Sequence, residues 1–224
     1  VLPLLVCASV SAQTRPELSV TLGESNQGSG LYVPSAGDGV NKPDLVGDVA
    51  VRRVAESSLF LYVKIDHPAY REGPLDLYVS AVVFDDTVMG LALEYDRAAE
   101  RPDIRTWYTQ TENAHFLTGL KQWRTLHFHL PAARMGRGQN HGTDFRLVAP
   151  GIAFREIRVS TVCPAGFDPA AGADIELLKI LAVQRANGME LTIGNDATAT
   201  EAALFKALSV SSVESYVDWA GVEP

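Results

Sequence analysis

The sequence predicts a mainly β protein, a β-sandwich followed by a truncated α/β segment. Between residues 17 and 162, short runs rich in Val, Leu, Tyr and Phe alternate with turn residues, as in sandwich proteins. In one run, a two-residue period places Leu126, Phe128 and Leu130 on one face and polar residues on the other. In the last quarter of the chain the pattern changes to helical spacing and then to strand–helix–strand order.

The sandwich region, residues 17–162, contains eight runs that we interpret as strands. The Gly-, Pro- and Asp-rich stretch PSAGDGVNKPD between the first two runs predicts a loop. Two pairs of neighbouring runs, the second with the third and the fourth with the fifth, are separated by so few residues that we expect hairpins. The eight runs are 17–23, 48–55, 58–66, 74–86, 90–96, 122–131, 143–150 and 153–160.

The remaining chain is predicted to contain two further parts. Residues 163–187 form a Pro- and Gly-rich linker and a helix, and residues 188–224 form a strand, a helix and a second strand. Two parallel strands and one helix leave both sheet edges unpaired, whereas a complete βα barrel takes about 250 residues. We therefore expect residues 188–224 to be the start of an incomplete (β/α)8 barrel that further chain completes.

Charge and the first residues suggest the compartment and the kind of partner. The formal net charge is −8 and the sequence has no basic run, which argues against nucleic-acid binding and binding to anionic membranes. The apolar residues 1–12 end in Val10-Ser11-Ala12, a small-x-small cleavage pattern typical of a signal peptide remnant. They are too few to span a bilayer, so we expect a secreted or periplasmic protein without membrane insertion. A buried first strand and a lipoprotein anchored through Cys7 are the alternatives.

Three motifs carry a resemblance to known families. The stretches GDGVNKPD, LEYD and WRTLHFHLPAARMGRGQNHGTDFRL (123–147) resemble the galactose-binding-like jelly-roll modules that precede bacterial glycoside hydrolases. The tail ends in WAGVEP, which resembles the second-strand motif W-x-x-[VL]-E-P of β-galactosidase-type and β-amylase-type barrels. The resemblance implies a jelly-roll accessory module in front of a catalytic barrel.

The function that this resemblance implies is that of an N-terminal fragment of a secreted glycoside hydrolase. Its partners would be a polysaccharide or oligosaccharide and its own catalytic barrel downstream. In those barrels the catalytic carboxylates lie on later strands, so no catalytic residue is assigned and the fragment alone is expected to be inactive. The alternative is a stand-alone secreted β-sandwich carbohydrate-binding or adhesion module without catalysis. A third hypothesis is a metal-dependent enzyme that uses His127 and His129, which share one strand face.

Candidate substrate contacts fall in two places. The first is the set of residues at the ends of the barrel strands, where active sites of such barrels lie. The second is an aromatic pair in a loop-like segment, Trp107 and Tyr108, which could stack on sugar rings. Trp123 is a weaker aromatic candidate, because we expect it to pack in the core. The strand-end residues are Asn195, Asp196, Tyr216, Asp218 and Trp219.

Two further groups of polar residues are expected to be structural or to bind metal. Asp38, Asn41 and Asp44 offer hard oxygen ligands in a Gly-rich loop, which suits a structural Ca²⁺, although ordinary turn chemistry is an alternative. Asp144 and Arg146 lie two residues apart, and we expect them to form an ion pair at the rim of the sandwich.

Overall fold

The computed structural model describes residues 15–98, 108–111 and 115–168. Helical structure in these ranges is limited to three short 3-10 turns, at Gly37–Gly39, Pro68–Tyr70 and Asn140–Gly142. The predictions for residues 1–12 and 188–224, and for most of 163–187, lie outside the described residues. The twelve described strands are β1 (Leu18–Thr21), β2 (Leu31–Tyr32), β3 (Asn41–Val46), β4 (Val49–Val54), β5 (Phe60–Ile65), β6 (Leu75–Asp85), β7 (Val88–Tyr95), β8 (Thr109–Gln110), β9 (His115–Thr118), β10 (Gln122–Ala133), β11 (Phe145–Val148) and β12 (Ala153–Ser160).

The strands form two antiparallel sheets of six strands each. In sheet 1 the order is β10-β6-β12-β4-β3, and β1 pairs with the later part of β12. In sheet 2 the order is β2-β5-β11-β7-β8, and β9 pairs with the start of β7. The fold is therefore mainly β, as the sequence predicts, and no α/β segment occurs within the described ranges.

One hydrophobic core joins the two sheets. Phe128 and Leu130 of sheet 1 belong to the same buried cluster as Phe145 and Leu147 of sheet 2, and all four side chains are fully buried. The predicted alternation in β10 is confirmed, because Leu126 is buried while Thr125, His127 and His129 face outward. Burial of each large side chain contributes about 1.5–3 kcal/mol, so this inner layer is the main stabilising feature of the sandwich.

Both predicted hairpins are wrong. β4 pairs with β3 and β12 in sheet 1, whereas β5 pairs with β2 and β11 in sheet 2. In the same way β6 lies in sheet 1 and β7 in sheet 2. The short connections at residues 55–59 and 86–87 therefore carry the chain from one sheet to the other across the edge of the sandwich. In a sandwich built in this way, successive strands lie in opposite sheets, and their apolar faces pack against each other across the core.

Part of the predicted loop is an edge strand. Residues 41–46 form β3, which pairs along its whole length with β4 and contains Pro43. Proline lacks the N–H that a central strand needs, but an edge strand has one side without a neighbour and tolerates it. The Gly-rich part of the same stretch, Gly37–Gly39, is indeed a turn.

Asp144 is structural, but its partner is not the predicted one. Its fully buried carboxylate accepts hydrogen bonds from the backbone N–H groups of Ile65 at 2.7 Å and Arg137 at 2.9 Å. It also forms an ion pair with Arg71 at 2.6 Å, while Arg146 pairs with Glu94. The predicted Asp144–Arg146 pair is therefore wrong. Asp144 instead ties the 66–71 and 135–144 segments to the end of β5.

No helix in the described ranges is long and apolar enough to cross a membrane.

Candidate ligand-binding groove

The outward face of sheet 1 presents aligned rows of side chains from three neighbouring strands. In one row, Ser80 of β6 lies between His127 of β10 and Arg158 of β12. In the row below, Tyr78 lies between His129 and Ser160. These residues share a face because side chains two apart on a strand point the same way and antiparallel pairing aligns the rows.

These rows form the floor of a groove with a volume of about 600 Å³. The turn that follows β12, residues 162–164, forms one wall, and Glu17 lies at the margin. The floor combines a hydroxyl, an imidazole and an aromatic ring, which are the groups that bind polyols. The floor residues are Tyr78, Ser80, Val82, Thr125, His127 and Glu156.

Aromatic rings lie at both ends of this face. At one end Tyr78 stacks on His129, with ring centroids 5.0 Å apart and planes at 16°, and Phe167 meets Tyr78 edge-on at 6.2 Å. Beyond the other end Trp123 packs against Phe84 at 5.2 Å. Phe84 and Tyr78 are six residues apart on β6, which corresponds to about 20 Å along the strand. The face is therefore long enough for an extended chain of several sugar rings.

A β-bulge brings a second charged residue of β12 into the groove. The register between β12 and β6 shifts between Phe154 and Glu156, so that Arg155 is an extra residue. As a result Phe154 and Ile157 point into the core, while Arg155 and Glu156 both face the groove. The backbone carbonyl of Arg155 accepts a hydrogen bond from Leu22 N–H at 2.7 Å, just beyond β1. Bulges redirect side chains in this way and are common next to binding sites.

The polar groups of the groove are mostly uncharged at neutral pH. Burial, together with the nearby His115, lowers the pKa of His127, so its imidazole stays neutral, and its Nδ1 is hydrogen-bonded to Ser80 Oγ at 2.8 Å. Burial raises the pKa of Tyr78, whose phenol therefore stays protonated. Hydroxyls and a neutral imidazole can each both donate and accept hydrogen bonds, as a sugar hydroxyl requires.

The charged groups of the groove differ in their pairing. Arg158 forms a 2.7 Å ion pair with Glu156 and lies 4.0 Å from Glu17. The hydrogen bond that Arg158 donates to Glu156 raises the pKa of Arg158. Arg155 has no ion-pair partner within the described ranges, and its guanidinium carbon lies 5.9 Å from the Trp123 ring centroid.

Tyr108 lies on the opposite face of the sandwich, outside sheet 2. Its ring covers the guanidinium of Arg146 at 3.9 Å, and its hydroxyl donates to Asn140 Oδ1 at 2.9 Å. Phe60 covers the other side of the same guanidinium at 3.8 Å. Tyr108 is 37% exposed, and its contacts join it to the outer face of sheet 2. Its predicted partner Trp107 lies outside the described residues, as do Asn195, Asp196, Tyr216, Asp218 and Trp219.

A polar network surrounds Arg146 on this face. Its Nε forms a 2.6 Å ion pair with Glu94, and its Nη1 donates to Tyr62 Oη at 3.4 Å. Tyr62 in turn donates to Asp38 Oδ1 at 2.9 Å and accepts from Asn140 Nδ2 at 3.3 Å. Burial raises the pKa of Tyr62, which keeps its hydroxyl protonated. The donors and acceptors of this network thus mainly satisfy one another.

The three predicted calcium ligands are each engaged by a donor group. Asp38 accepts from Tyr62, and Asn41 Oδ1 accepts from Arg52 Nε at 2.6 Å. Asp44 Oδ2 accepts from Arg53 Nε at 2.6 Å, a hydrogen bond that lowers the pKa of Asp44. Carboxylate and amide oxygens used in this way are poorly placed to hold a cation. The calcium site stays a prediction to which these contacts lend no support.

The histidines are outward-facing, as predicted, but have other partners than a metal. His129 Nε2 lies 2.6 Å from Asp76, and His127 is bonded to Ser80. Across the described ranges, no group of three or more His, Cys, Asp or Glu side chains is arranged to hold a metal ion.

Trp123 faces outward on sheet 1, and the expectation that it packs in the core is wrong. The signal was present in the sequence. The two-residue period that places Thr125 and His127 on the polar face also places Trp123 there. The ring is half-buried because Phe84 lies beside it on the neighbouring strand.

Among the comparisons with known proteins, only the comparison with solved structures finds similar proteins. No family model matches the chain, and no curated protein matches it. A family 29 carbohydrate-binding module from Piromyces equi, CBM29_1, aligns with 12% identity and a TM-score of 0.39, covering 67% of this chain and 95% of that module. The K1 cleaved adhesin domain of Lys-gingipain from Porphyromonas gingivalis W83 aligns with 14% identity and a TM-score of 0.37, covering 65% and 95%.

A third similar structure is the carbohydrate-binding module CBM6cm-2 of Cellvibrio mixtus lichenase 5A, in complex with cellotriose. It aligns with 16% identity and a TM-score of 0.28, covering 65% of this chain and 97% of that module. At these identities and TM-scores, what those proteins bind does not transfer to this chain, and its site has to be inferred from its own groove.

Proposed function

We propose that this chain is a carbohydrate-binding β-sandwich module and that the groove on sheet 1 binds the glycan. The single observation that carries the proposal is the groove floor, in which β6 and β10 align Tyr78, Ser80, Thr125 and His127 under about 600 Å³ of open space. The proposal does not depend on the structures that the chain resembles.

The chemistry of the floor suits an oligosaccharide. The C–H faces of pyranose rings pack on aromatic rings, and Tyr78 at one end and Trp123 beyond the other offer such surfaces. Sugar hydroxyls can exchange hydrogen bonds with Ser80, Thr125 and the neutral His127. Apart from Glu156, the floor residues are uncharged, so binding over them involves little desolvation of ions.

The test is a glycan-array screen of the full chain, followed by calorimetric titration with the best ligand. Tyr78→Ala should weaken binding about fivefold to a hundredfold, taking as the guide the roughly 1–3 kcal/mol that a nucleic-acid base gains by stacking on an aromatic side chain. Ser80→Ala is a milder second variant in case Tyr78→Ala unfolds, and it should weaken binding about threefold to tenfold. Thermal unfolding of each variant shows whether the fold is kept.

Tyr108→Ala is the matched control on the opposite face, and we expect it to bind as tightly as the wild type. The sequence hypothesis of a glycan contact at Trp107 and Tyr108 makes the opposite prediction. Loss of binding in Trp107→Ala and Tyr108→Ala, with Tyr78→Ala unaffected, would move the site to sheet 2. Failure of the wild type to bind any glycan would overturn the proposed function.

The hydrolase hypothesis is a separate and finer proposal. It rests on the resemblance of residues 188–224 to the start of a (β/α)8 barrel, which lies outside the described residues. Sequencing the gene past the codon for Pro224 tests it. Further strand–helix repeats with two strand-end carboxylates would support it, and a stop codon there would contradict it and favour the stand-alone module.

A further inference from the structure

The bulge in β12 places both Arg155 and Glu156 in the groove, where regular pairing would place only one of them. In an unbroken strand, Phe154 and Glu156 would share a face and Arg155 would point the other way. The register shift lets Phe154 stay in the core while Arg155 and Glu156 both face the groove. The bulge lies where the partner of β12 changes from β4 to β1.

Arg155 is the arginine of these strands that has no acidic or carbonyl partner within the described ranges. Its neighbour Glu156 is bonded to Arg158 at 2.7 Å, which leaves no groove carboxylate paired with Arg155. On the other sheet, Arg146 is clamped between two rings at 3.8 and 3.9 Å and pairs with Glu94. The guanidinium carbon of Arg155 instead lies 5.9 Å from the ring centroid of Trp123, which is farther than the two ring contacts of Arg146.

We propose that Arg155 selects glycans that carry an anionic substituent, such as the carboxylate of a uronic acid or a sulfate ester. This inference rests on the proposed glycan-binding function of the groove. The sugar ring would pack beside Trp123, and its anionic group would accept hydrogen bonds from the Arg155 guanidinium. A guanidinium forms a fork of donors that matches planar carboxylate and sulfate oxygens.

The distribution of charge in the groove agrees with a single anion subsite. Glu17 and Glu156 lie around Arg158, so that part of the groove has no spare cation. Arg155 lies towards Trp123, with its guanidinium carbon 5.9 Å from the ring centroid, and the neighbouring Glu156 is already paired with Arg158. The net charge of −8 would repel an anionic glycan at long range, but salt screens this beyond about 8 Å at physiological ionic strength. At contact distance, the attraction between Arg155 and an anionic substituent therefore outweighs the repulsion from the net charge.

The experiment compares charged and uncharged forms of the same glycan. The full chain is titrated with oligogalacturonate and with its methyl ester, which lacks the charge, and with sulfated and unsulfated dextran oligosaccharides. The variants are Arg155→Ala, Arg155→Lys and, as a matched control, Arg134→Ala. Arg134 is exposed and does not line the groove. Its replacement by alanine removes one positive charge, as Arg155→Ala does, but leaves the groove unchanged.

We expect the wild type to prefer at least one charged glycan over its uncharged counterpart. Arg155→Ala should reduce that affinity about tenfold, to the level of the uncharged form, and Arg155→Lys should keep part of it. Arg134→Ala should bind as the wild type does. The pair of glycans for which Arg155→Ala removes the preference, carboxylated or sulfated, identifies the kind of substituent that the subsite binds.

The outcomes separate this inference from the proposed function. If the wild type binds uncharged glycans and Arg155→Ala weakens charged and uncharged forms equally or not at all, the anion subsite is wrong and the glycan groove stands. If the wild type binds no glycan in any arm, both fail. If Arg134→Ala weakens charged glycans as much as Arg155→Ala, the effect belongs to net charge and the subsite is again wrong.

Discussion

The two outer faces of the sandwich are both polar and aromatic, yet they use these side chains differently. On sheet 2, Arg146 and Glu94 are only 12% and 19% exposed, and the polar groups around them bind one another. On sheet 1, the corresponding side chains stand in rows under an open groove, with Arg158 51% exposed. A polar residue on a strand is therefore a better indication of function where it also faces open space, as Ser80 and His127 do.

This difference predicts that polar substitutions on sheet 2 lower stability, while those on sheet 1 lower binding. The largest effect should come from Asp144, whose fully buried carboxylate holds Arg71 and two backbone N–H groups. Asp144→Ala should cost about 3–5 kcal/mol in the free energy of unfolding, because it leaves two backbone N–H groups and the partly buried Arg71 guanidinium without their acceptor. Urea denaturation measures this loss.

The control for Asp144 is Asp76→Ala on sheet 1, whose 62% exposed carboxylate pairs with His129. Loss of an exposed pair should cost roughly 0–1 kcal/mol. Equal losses for Asp144→Ala and Asp76→Ala would contradict the contrast between the two faces.

The second prediction compares an arginine from each face. Arg146→Ala removes an ion pair with Glu94, a donor to Tyr62 and two ring contacts, and should destabilise the fold by about 1–3 kcal/mol. Arg158→Ala breaks a more exposed pair with Glu156 and should cost roughly 0–1 kcal/mol. Urea denaturation measures the free energy of unfolding of both variants. A larger decrease for Arg158→Ala than for Arg146→Ala would contradict the contrast between the two faces.

The third and smallest effect concerns pH. His127 has a folded-state pKa below its ordinary value of 6.5, so protons bind more readily to the unfolded chain. The stability that neutral His127 contributes is therefore complete above about pH 6.5 and decreases as the pH falls below it. His127→Gln cannot titrate, so its melting temperature should fall less between pH 7.5 and pH 5 than that of the wild type. An identical fall would show that His127 is not responsible.

The strands of the sandwich could largely be predicted from sequence, because alternation within a strand is a local pattern. The run 153–160 matches β12 in both bounds, and the inward residues of β10 are those that the period indicated. The pairing of the strands could not be predicted in this way. Whether β4 and β5 form a hairpin or separate into two sheets depends on partners more than 80 residues away, such as β11 and β12.

The candidate groove was missed for two separate reasons. The first is that Trp123 heads its strand, where we expect core packing, although the two-residue period places it on the polar face. The second is the bulge, which does leave a trace in the sequence. In AFREIRVS the inward residues Phe154 and Ile157 lie three apart instead of two, a spacing that requires an extra residue between them.

The edge strand β3 shows where composition misleads. Its Pro43 and the preceding glycines favour a loop, and local rules do not reveal that β4 offers a partner along the whole of 41–46. The glycines themselves serve the turn and its packing, since Gly37 adopts a φ of +56°, which favours glycine, and a Cβ at Gly39 would lie 2.3 Å from the Tyr62 ring.

The central claim is that the ligand binds to the outer face of sheet 1. The outer face of sheet 2, whose polar side chains hydrogen-bond one another, does not bind it. The most direct measurement is an NMR titration of the ¹⁵N-labelled chain with the glycan selected by the array. We predict amide shifts along β6, β10 and β12, largest near Tyr78, Ser80 and His127, and none along β5 and β11. Shifts centred on β5, β11 and Tyr108, with β6 and β10 unchanged, would contradict the account.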